Sequence, residues 1–342
     1  MKMTLTAAII AVLLLICTLV SAADIWYEDN NMAIAGGIPK DFKDKFNDPD
    51  TWGEARKYIK VYFLRVNMFT PGNNLTDDFV KGRMLPLLRE SNIHIGLDAL
   101  GGTMMARELR RKAFEMEIAL IEKLNQMGGT VEYVSLQSLL SKTIDEDGKE
   151  AVYPIEQRIS DAITYASVLK KKFPWIKVGI IDALPSHGRE YKGPYARLAK
   201  AFSDNGLKLA YVDLDLPYEL VKDRLSNLRW SKIKEVELFV QNQLGARFGL
   251  ICTSRNGGYN SDRAFHMHAL AEMSEYMNSG GNPDHFTIMS WFPHPAYTVP
   301  DTSSGNHYPV MRTILEFGRL LDQSQPGRRP DTMPQNQEPA TN

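Results

Sequence analysis

Short apolar runs alternate with longer amphipathic stretches along the chain after residue 24. The apolar runs have strand length, whereas the amphipathic stretches repeat their apolar residues at helical spacing. We predict strands at residues 31–36, 58–69, 93–99, 130–136, 177–182, 208–215, 247–253 and 286–291. We predict helices at residues 50–57, 77–90, 107–126, 155–172, 194–205, 218–244, 261–278 and 309–322.

Eight strand–helix units predict an α/β fold with parallel strands joined by helical crossovers. Parallel strands are covered on both faces, which fits their nearly continuous apolar character. Eight such units close into a (β/α)8 barrel, also called a TIM barrel, as a single domain at residues 24–322. An open doubly wound sheet is the alternative, but it would favour a G-x-G-x-x-G turn, which the chain lacks.

The two ends of the chain differ in composition from the barrel. Residues 1–23 have the pattern of a secretory signal: Lys2, an apolar stretch at 7–20, and the small residues Ser21-Ala22-Ala23. We therefore expect a secreted or periplasmic protein without stable membrane insertion, although an uncleaved N-terminal anchor is the alternative. The polar segment at residues 323–342 predicts a disordered tail.

Charge and cysteine content narrow the function further. The formal net charge is −1, with 40 basic and 41 acidic residues spread along the chain, so nucleic acid is not an expected partner. Removal of the leader would leave Cys252 as the only cysteine, which excludes an intramolecular disulfide. No feature of the sequence indicates an oligomeric state.

Chemistry in such barrels gathers at the C-terminal ends of the strands and in the loops that follow. Polar and aromatic residues occur at these positions on seven of the eight predicted strands. They are Arg65, Asn67, Asp98, Gln137, Asp182, His187, Asp213, Asp215, Arg255, Trp291 and His294. This set predicts a polar ring with an indole beside it, which suits a sugar substrate.

Hydrolysis of a glycosidic bond requires one protonated and one ionised carboxyl group. We predict Asp182 as the ionised base or nucleophile, Asp215 as the acid and Asp98 as an orienting residue. Each aspartate has helix capping as its structural alternative. Similarly, Arg65 is either a substrate ligand or the partner of Asp98 in a structural ion pair.

The remaining candidates are assigned to substrate binding, with Trp291 as a platform for a sugar ring. Pro293 and Pro295 restrict the backbone around His294, which predicts a loop of fixed shape. The structural alternative is that Trp291 caps the core, because tryptophan is mostly buried.

From its leader, its eight strand–helix units and Ser290-Trp291, the chain resembles the secreted (β/α)8 glycoside hydrolases over residues 23–322. The resemblance implies an oligo- or polysaccharide substrate, no cofactor, and Trp291 as the floor of a sugar subsite. In the largest clan of these enzymes, catalytic glutamates end strands four and seven. Here those ends read Ser135-Leu136-Gln137-Ser138 and Thr253-Ser254-Arg255-Asn256. Either other strands supply the carboxylates, or only sugar binding remains.

Two further functions stay open from the sequence. A non-catalytic carbohydrate-binding barrel needs the indole and the polar ring but no carboxyl pair. A metal-dependent barrel of the sugar-isomerase or endonuclease kind would gather His187, Asp182, Asp213 and His294 around a divalent ion. The pair His266 and His268 lies in a predicted helix, where residues two apart point in different directions. We favour hydrolysis without a metal.

Overall fold

The strands form one closed parallel barrel, in the order in which they occur along the chain. The structure is a computed structural model that describes residues 23–30, 39–69, 75–99, 107–140, 154–184, 190–223, 228–302 and 305–324. The predicted (β/α)8 fold is confirmed. The predicted leader, except for residue 23, and nearly all of the predicted tail lie outside the described residues and stay predictions.

The eight strands are short and pair edge to edge around the ring. Their bounds are β1 Asp24–Glu28, β2 Ile59–Arg65, β3 His94–Ala99, β4 Val131–Gln137, β5 Lys177–Asp182, β6 Leu209–Asp215, β7 Arg247–Cys252 and β8 His285–Ile288. The ring closes where β1 pairs with β8, with Asp24 opposite His285.

The first strand begins earlier than we predicted. It is Asp24–Glu28, whereas the predicted strand at 31–36 lies outside the described residues. Its apolar part is only Ile25-Trp26-Tyr27, directly after the apolar leader, and the pattern therefore hides where the barrel starts. The correction matters because it places Glu28 at a strand end.

Helices follow the strands and cover the outside of the barrel. Their bounds are α1 Asp44–Asn47, α2 Gly53–Arg56, α3 Asp77–Phe79, α4 Leu85–Glu90, α5 Arg107–Gln126, α6 Ile155–Lys172, α7 Lys192–Asp204, α8 Tyr218–Lys222, α9 Trp230–Phe239, α10 Arg255–Asn260, α11 Asp262–Asn278 and α12 Val310–Gln323. Single π-helical turns, Val80–Met84 and Val240–Leu244, follow α3 and α9. None of the described helices has the length and apolar character to cross a membrane.

One predicted helix is broken in the structure, and one short helix was not predicted. The helix predicted at 218–244 ends at Lys222, where Asp223 turns to an extended backbone, and a second helix begins at Trp230. Apolar spacing indicates the helical segments but not the break between them. Helix α10 was not predicted, because Gly257-Gly258 disfavours a helix. Both glycines are needed there, since an added Cβ would lie 2.9 Å from the Phe265 backbone or 2.5 Å from Phe292.

The barrel interior is filled by its own cluster of side chains, separate from the core between strands and helices. This inner cluster consists of Trp26, Val61, Phe63, Tyr133 and Tyr211. Gly96 and Gly179 complete the packing, because an added Cβ would lie 2.5 Å from Phe63 or 2.4 Å from Tyr211. Alternate residues of each strand face inward, so the polar residues further along the same strands lie above this cluster.

A buried lysine fixes the outer side of β1. The ammonium of Lys45 lies 2.5 Å from Asp29 Oδ1 and donates a hydrogen bond of 2.9 Å to the Tyr62 hydroxyl. Aromatic rings surround it, with the centre of Phe42 at 4.7 Å. Burial lowers the pKa of Lys45, and Asp29 opposes that effect. The pair holds the backbone that immediately follows Glu28.

Candidate active site

The C-terminal half of the barrel interior holds a layer of polar side chains above the aromatic cluster. The strands place them there because each belongs to the inward-facing set of its strand. They are Glu28 on β1, Arg65 on β2, Asp98 on β3, Gln137 on β4, and Asp213 and Asp215 on β6. All are buried except Asp215, which is partly exposed at the end of its strand.

Arg65 joins two carboxyl groups at the centre of this layer. Its Nη2 lies 2.8 Å from Asp98 Oδ2, and its Nε forms an ion pair with Glu28. Gln137 Nε2 donates a hydrogen bond of 2.6 Å to the same Asp98 oxygen. The ion pair that we considered as a structural alternative for Arg65 is therefore present, with Glu28 as a further member.

Burial sets the protonation of these carboxyl groups. It raises the pKa of Asp98 to about 6, against the opposing effects of Arg65 and the Gln137 hydrogen bond, while the charge of Asp213 acts in the same direction as burial. Burial also raises the pKa of Glu28 well above its usual range, with Arg65 opposing and Asp98 adding to the shift. The two acids thus compete for one cation in an enclosed space, which favours a bound proton.

One oxygen of Asp98 is left for another partner. Oδ2 binds Arg65 and Gln137, whereas Oδ1 has no hydrogen-bond partner among the described residues. A buried carboxyl oxygen without a partner is costly unless another group binds it. Glu28 Oε2 and Asp213 Oδ2 likewise have no hydrogen-bond partner among the described residues, so this layer holds several carboxyl oxygens that a proton or another donor could satisfy.

Asp213 lies deeper than we expected for a substrate-binding residue. Its Oδ1 is 2.5 Å from His285 Nε2, and both side chains are fully buried. The His285 ring stacks on Trp26 with centres 3.6 Å apart. Gly249 lies between the two in the sheet, where an added Cβ would be 2.2 Å from each. Asp213 therefore acts on Asp98 through its charge, from below.

Asp215 is the carboxylate nearest to solvent in this group. It ends β6 on the inward side, opposite Ile251 of the next strand. The pKa of Arg65 is raised overall. Burial lowers it, but the negative charges of Glu28, Asp98 and, more weakly, Asp215 have the larger combined effect. Asp215 and Asp98 thus act on the same guanidinium, one from the rim and one from inside.

The structure does not bring Asp182 and Asp215, the predicted catalytic pair, to the same side of the barrel wall. Ile181 packs inside the barrel, whereas Asp182, the next residue, is fully buried and pairs in the sheet with Leu214 of the outer core. Burial raises the pKa of Tyr195 on α7, and the charge of Asp182 raises it further. Asp182 therefore faces the helices and lies outside the polar layer.

Among the predicted binding residues, Arg65, Gln137 and Asp213 are in the polar layer, whereas Asn67, Arg255 and His294 are not. Asn67 lies in a 3-10 turn, Val66–Phe69, where strand alternation no longer places it beside Arg65. Arg255 is exposed on α10. His294 lies at the rim with Nδ1 2.5 Å from Asp262 Oδ1. His187 lies outside the described residues.

Trp291 lies at the opening of the barrel, half-buried against Ile181, Ile251 and Met289. Its loop is held by side chains. Asn30 Nδ2 donates hydrogen bonds of 2.8 and 2.7 Å to the carbonyl oxygens of Phe292 and Pro295. The peptide bond between His294 and Pro295 is cis. The backbone on both sides of this loop is thus held in place, and the role of Trp291 as a platform for a sugar ring stays a prediction.

The described residues do not support the metal-dependent alternative. Among them, no group of three or more histidine, cysteine or acidic side chains is arranged to hold a metal ion. The predicted ligands also lie apart: Asp182 is on the outer side of the barrel wall, Asp213 is inside the barrel, and His294 is at the rim. His266 faces Thr313 at 3.0 Å, whereas His268 faces Ser254 at 2.7 Å, as their helical spacing predicts.

Two residues of the polar interior were missed in the sequence, Glu28 and His285. Glu28 is two residues after Trp26 and would follow from strand alternation once β1 is placed correctly. His285 immediately precedes the apolar run of β8 and marks its first inward position. Both signals depend on correct strand starts, which are the least reliable part of a pattern.

No protein-family model and no curated protein sequence matches the chain. Solved structures do resemble it. A fungal β-1,4-galactanase has a TM-score of 0.53 at 10% identity, over 85% of this chain and 98% of that one. Xylanase 10C from Cellvibrio japonicus, with bound xylopentaose, has a TM-score of 0.53 at 8% identity. The match covers 89% of this chain and 68% of the xylanase chain.

An intracellular xylanase from Thermoanaerobacterium saccharolyticum, with bound xylotriose, has a TM-score of 0.50 at 12% identity, over 80% of this chain and 89% of that one. Identities this low show a common fold. The resemblance to (β/α)8 glycoside hydrolases is thereby confirmed at the level of the fold.

Proposed function

We propose that the protein hydrolyses glycosidic bonds in an oligo- or polysaccharide. The observation that carries the proposal is Asp98, a buried carboxyl group with a pKa of about 6 below the indole at the barrel opening. A glycosidase needs such a group, because it must keep a proton at near-neutral pH and give it to the leaving oxygen. The shared fold with xylanases and a galactanase supports the same reaction.

The roles of the two carboxyl groups follow from their surroundings. Asp98 donates the proton through Oδ1, while Arg65 and Gln137 hold Oδ2 and fix the orientation of the group. Asp215, partly exposed at the rim, is the ionised carboxylate that activates water or attacks the sugar carbon. Arg65 stabilises the negative charge left on Asp98 after proton transfer. Trp291 supports the sugar ring.

The test is hydrolysis of a panel of polysaccharides that includes xylan and β-1,4-galactan. Asp98→Asn and Asp215→Asn should each lower kcat/KM by about 100-fold or more, as expected for loss of an acid or base. The control is Asp204→Asn, a change to an exposed aspartate of α7 that pairs with Lys200 at 2.7 Å. Full activity in Asp98→Asn would refute the assignment.

A non-catalytic sugar-binding barrel is the second candidate. Gln137, an amide that cannot donate a proton as an acid does, ends β4, where the largest clan of these hydrolases has its acid/base glutamate. Binding of a polysaccharide without release of reducing ends, across the panel and from acidic to alkaline pH, would favour this function over hydrolysis.

Export remains part of the proposal and is supported by the sequence alone. The leader at residues 1–23 fits a secretory signal, which would place the mature protein outside the cytoplasm with polymeric sugars. N-terminal sequencing of the exported protein should find a start at Ala23 or Asp24.

A further inference from the structure

Two aromatic rings lie side by side at the rim, next to Trp291. Tyr259 belongs to α10, and Phe292 directly follows Trp291; their ring centres are 5.0 Å apart. Tyr259 is 52% exposed, and Phe292 is partly exposed. Paired exposed rings beside an opening are more informative than a single exposed apolar residue, which is normal on any surface.

This aromatic pair is held in place by contacts that involve no ligand. Gly258 brings α10 close to Phe292, because an added Cβ would lie 2.5 Å from the Phe292 side chain. The His294 N–H donates a hydrogen bond of 2.9 Å to the Gly258 carbonyl oxygen. Asn30 binds the Phe292 carbonyl oxygen. The surface is therefore preorganised, so that binding would cost little ordering of the protein.

Polar groups border the aromatic pair. His294 and Asp262 form their 2.5 Å contact beside it, with side chains 30% and 17% exposed. Asp262 Oδ1 also accepts a hydrogen bond of 2.8 Å from the Ala296 N–H, which fixes the carboxylate. An apolar ring face next to fixed hydrogen-bonding groups matches a sugar, which has a C–H face and hydroxyl groups at its edge.

We propose that Tyr259 and Phe292, with His294 and Asp262 at their edge, form an outer binding site for one sugar unit of a polysaccharide. Because Phe292 is covalently next to Trp291, the units that follow would reach the opening above the polar layer. The inference rests on the proposed function and deepens it. It makes the substrate a chain of several sugar units rather than a disaccharide.

The test compares affinities for short and long oligosaccharides, measured by calorimetry in an Asp98→Asn background. The probes are xylobiose and xylohexaose, with the matching β-1,4-galacto-oligosaccharides as a second series. Tyr259→Ala should weaken binding of the hexasaccharide about 3- to 10-fold and leave the disaccharide unchanged. Tyr259→Phe keeps the ring and should bind like the background protein.

Trp175→Ala is the matched control, because this tryptophan is 48% exposed and precedes the N-terminal end of β5, on the opposite side of the barrel. It should leave both affinities unchanged. Equal weakening for both chain lengths, no effect of Tyr259→Ala, or no binding of either hexasaccharide would overturn the inference. Tyr259-dependent binding in a wild-type protein that hydrolyses nothing would refute the proposed function and leave the outer site standing.

Discussion

Ile181 and Asp182 are consecutive residues of β5 that lie on opposite sides of the barrel wall. Ile181 packs in the interior with Ile251 and Met289, whereas Asp182 faces α7, where its charge acts on Tyr195. This single step in the strand separates a residue of the site from one of the outer core. We therefore expect Asp182 to have a structural role.

Asp182→Asn should therefore lower stability without abolishing activity. The amide keeps an oxygen that can accept the 3.1 Å hydrogen bond from the Ala183 N–H, but it places an NH2 group in a fully buried position, and an unsatisfied donor there should cost about 1–3 kcal/mol of the free energy of unfolding. Denaturant unfolding measures the cost, and kcat is measured where the variant is folded. A 100-fold lower kcat in a fully stable variant would contradict this role.

The activity should depend on pH through Asp98. As a proton donor with a pKa of about 6, it is active when protonated, so kcat/KM should fall as pH rises through about 6. The profile of kcat/KM between acidic and mildly alkaline pH checks this. A constant kcat/KM across that range, with Asp204→Asn as the reference variant, would rule out Asp98 as the acid.

The pH dependence of the unfolding free energy should also depend on Asp98. Asp98 keeps its proton up to a pH of about 6 in the folded state but only to its usual 3.8 when unfolded. Between those values the folded state binds more protons, so the free energy of unfolding contributed by Asp98 falls as pH rises from about 4 to about 6. The fall should be smaller in Asp98→Asn, measured by denaturant unfolding at several pH values. Parallel pH curves for both proteins would contradict it.

Gly249→Ala should disrupt the inner pair of Asp213 and His285. The new methyl group would lie 2.2 Å from both side chains, and neither can move far in a filled interior. Overpacking of this kind costs about 1–3 kcal/mol. Gly82→Ala is the matched control, because an added Cβ there meets nothing within 4 Å. Equal unfolding free energies for the two variants would show that the interior adapts.

Lys45→Met should be among the more destabilising single changes. It leaves the Asp29 carboxylate buried without its cation, and breaking a buried pair in this way costs about 3–5 kcal/mol. Adding Asp29→Asn should recover part of the loss, because the unpaired charge is then removed. Thermal and denaturant unfolding of the single and double variants measure the coupling. Purely additive losses would show that the pair contributes little.

The fold could be read from the sequence because it depends on a repeated pattern. Strands β2 to β8 lie within or close to the predicted runs, and the polar residues at the ends of β2, β3, β4 and β6 were recognised. Which side chains face into the barrel could not be predicted from the sequence. Parallel strands are apolar on both faces, so alternation does not show which residues face inward. Register also shifts between Val178 and Ile180 where β5 pairs with β6, close to Asp182.

The candidate site was therefore predicted in part. Arg65, Asp98, Gln137 and Asp215 are in the polar layer, but Glu28 required the correct start of β1. The contact of Asp213 with His285 joins residues 72 positions apart in the sequence and follows only from closure of the ring. Long-range pairs of this kind leave no signal in a local pattern.

The aromatic filling of the barrel has a consequence for turnover. The ring centre of Trp26 lies 5.0 Å from the ring centres of both Tyr133 and Tyr211, and the indole stacks on His285. These rings fill the interior below the carboxyl groups. Under the proposed function, reactant and cleaved fragments would therefore share the one entrance beside Trp291. A fragment that still lies across Tyr259 and Phe292 would delay the next molecule, and inhibition by long products is the kinetic behaviour expected of a barrel that is closed at its lower end.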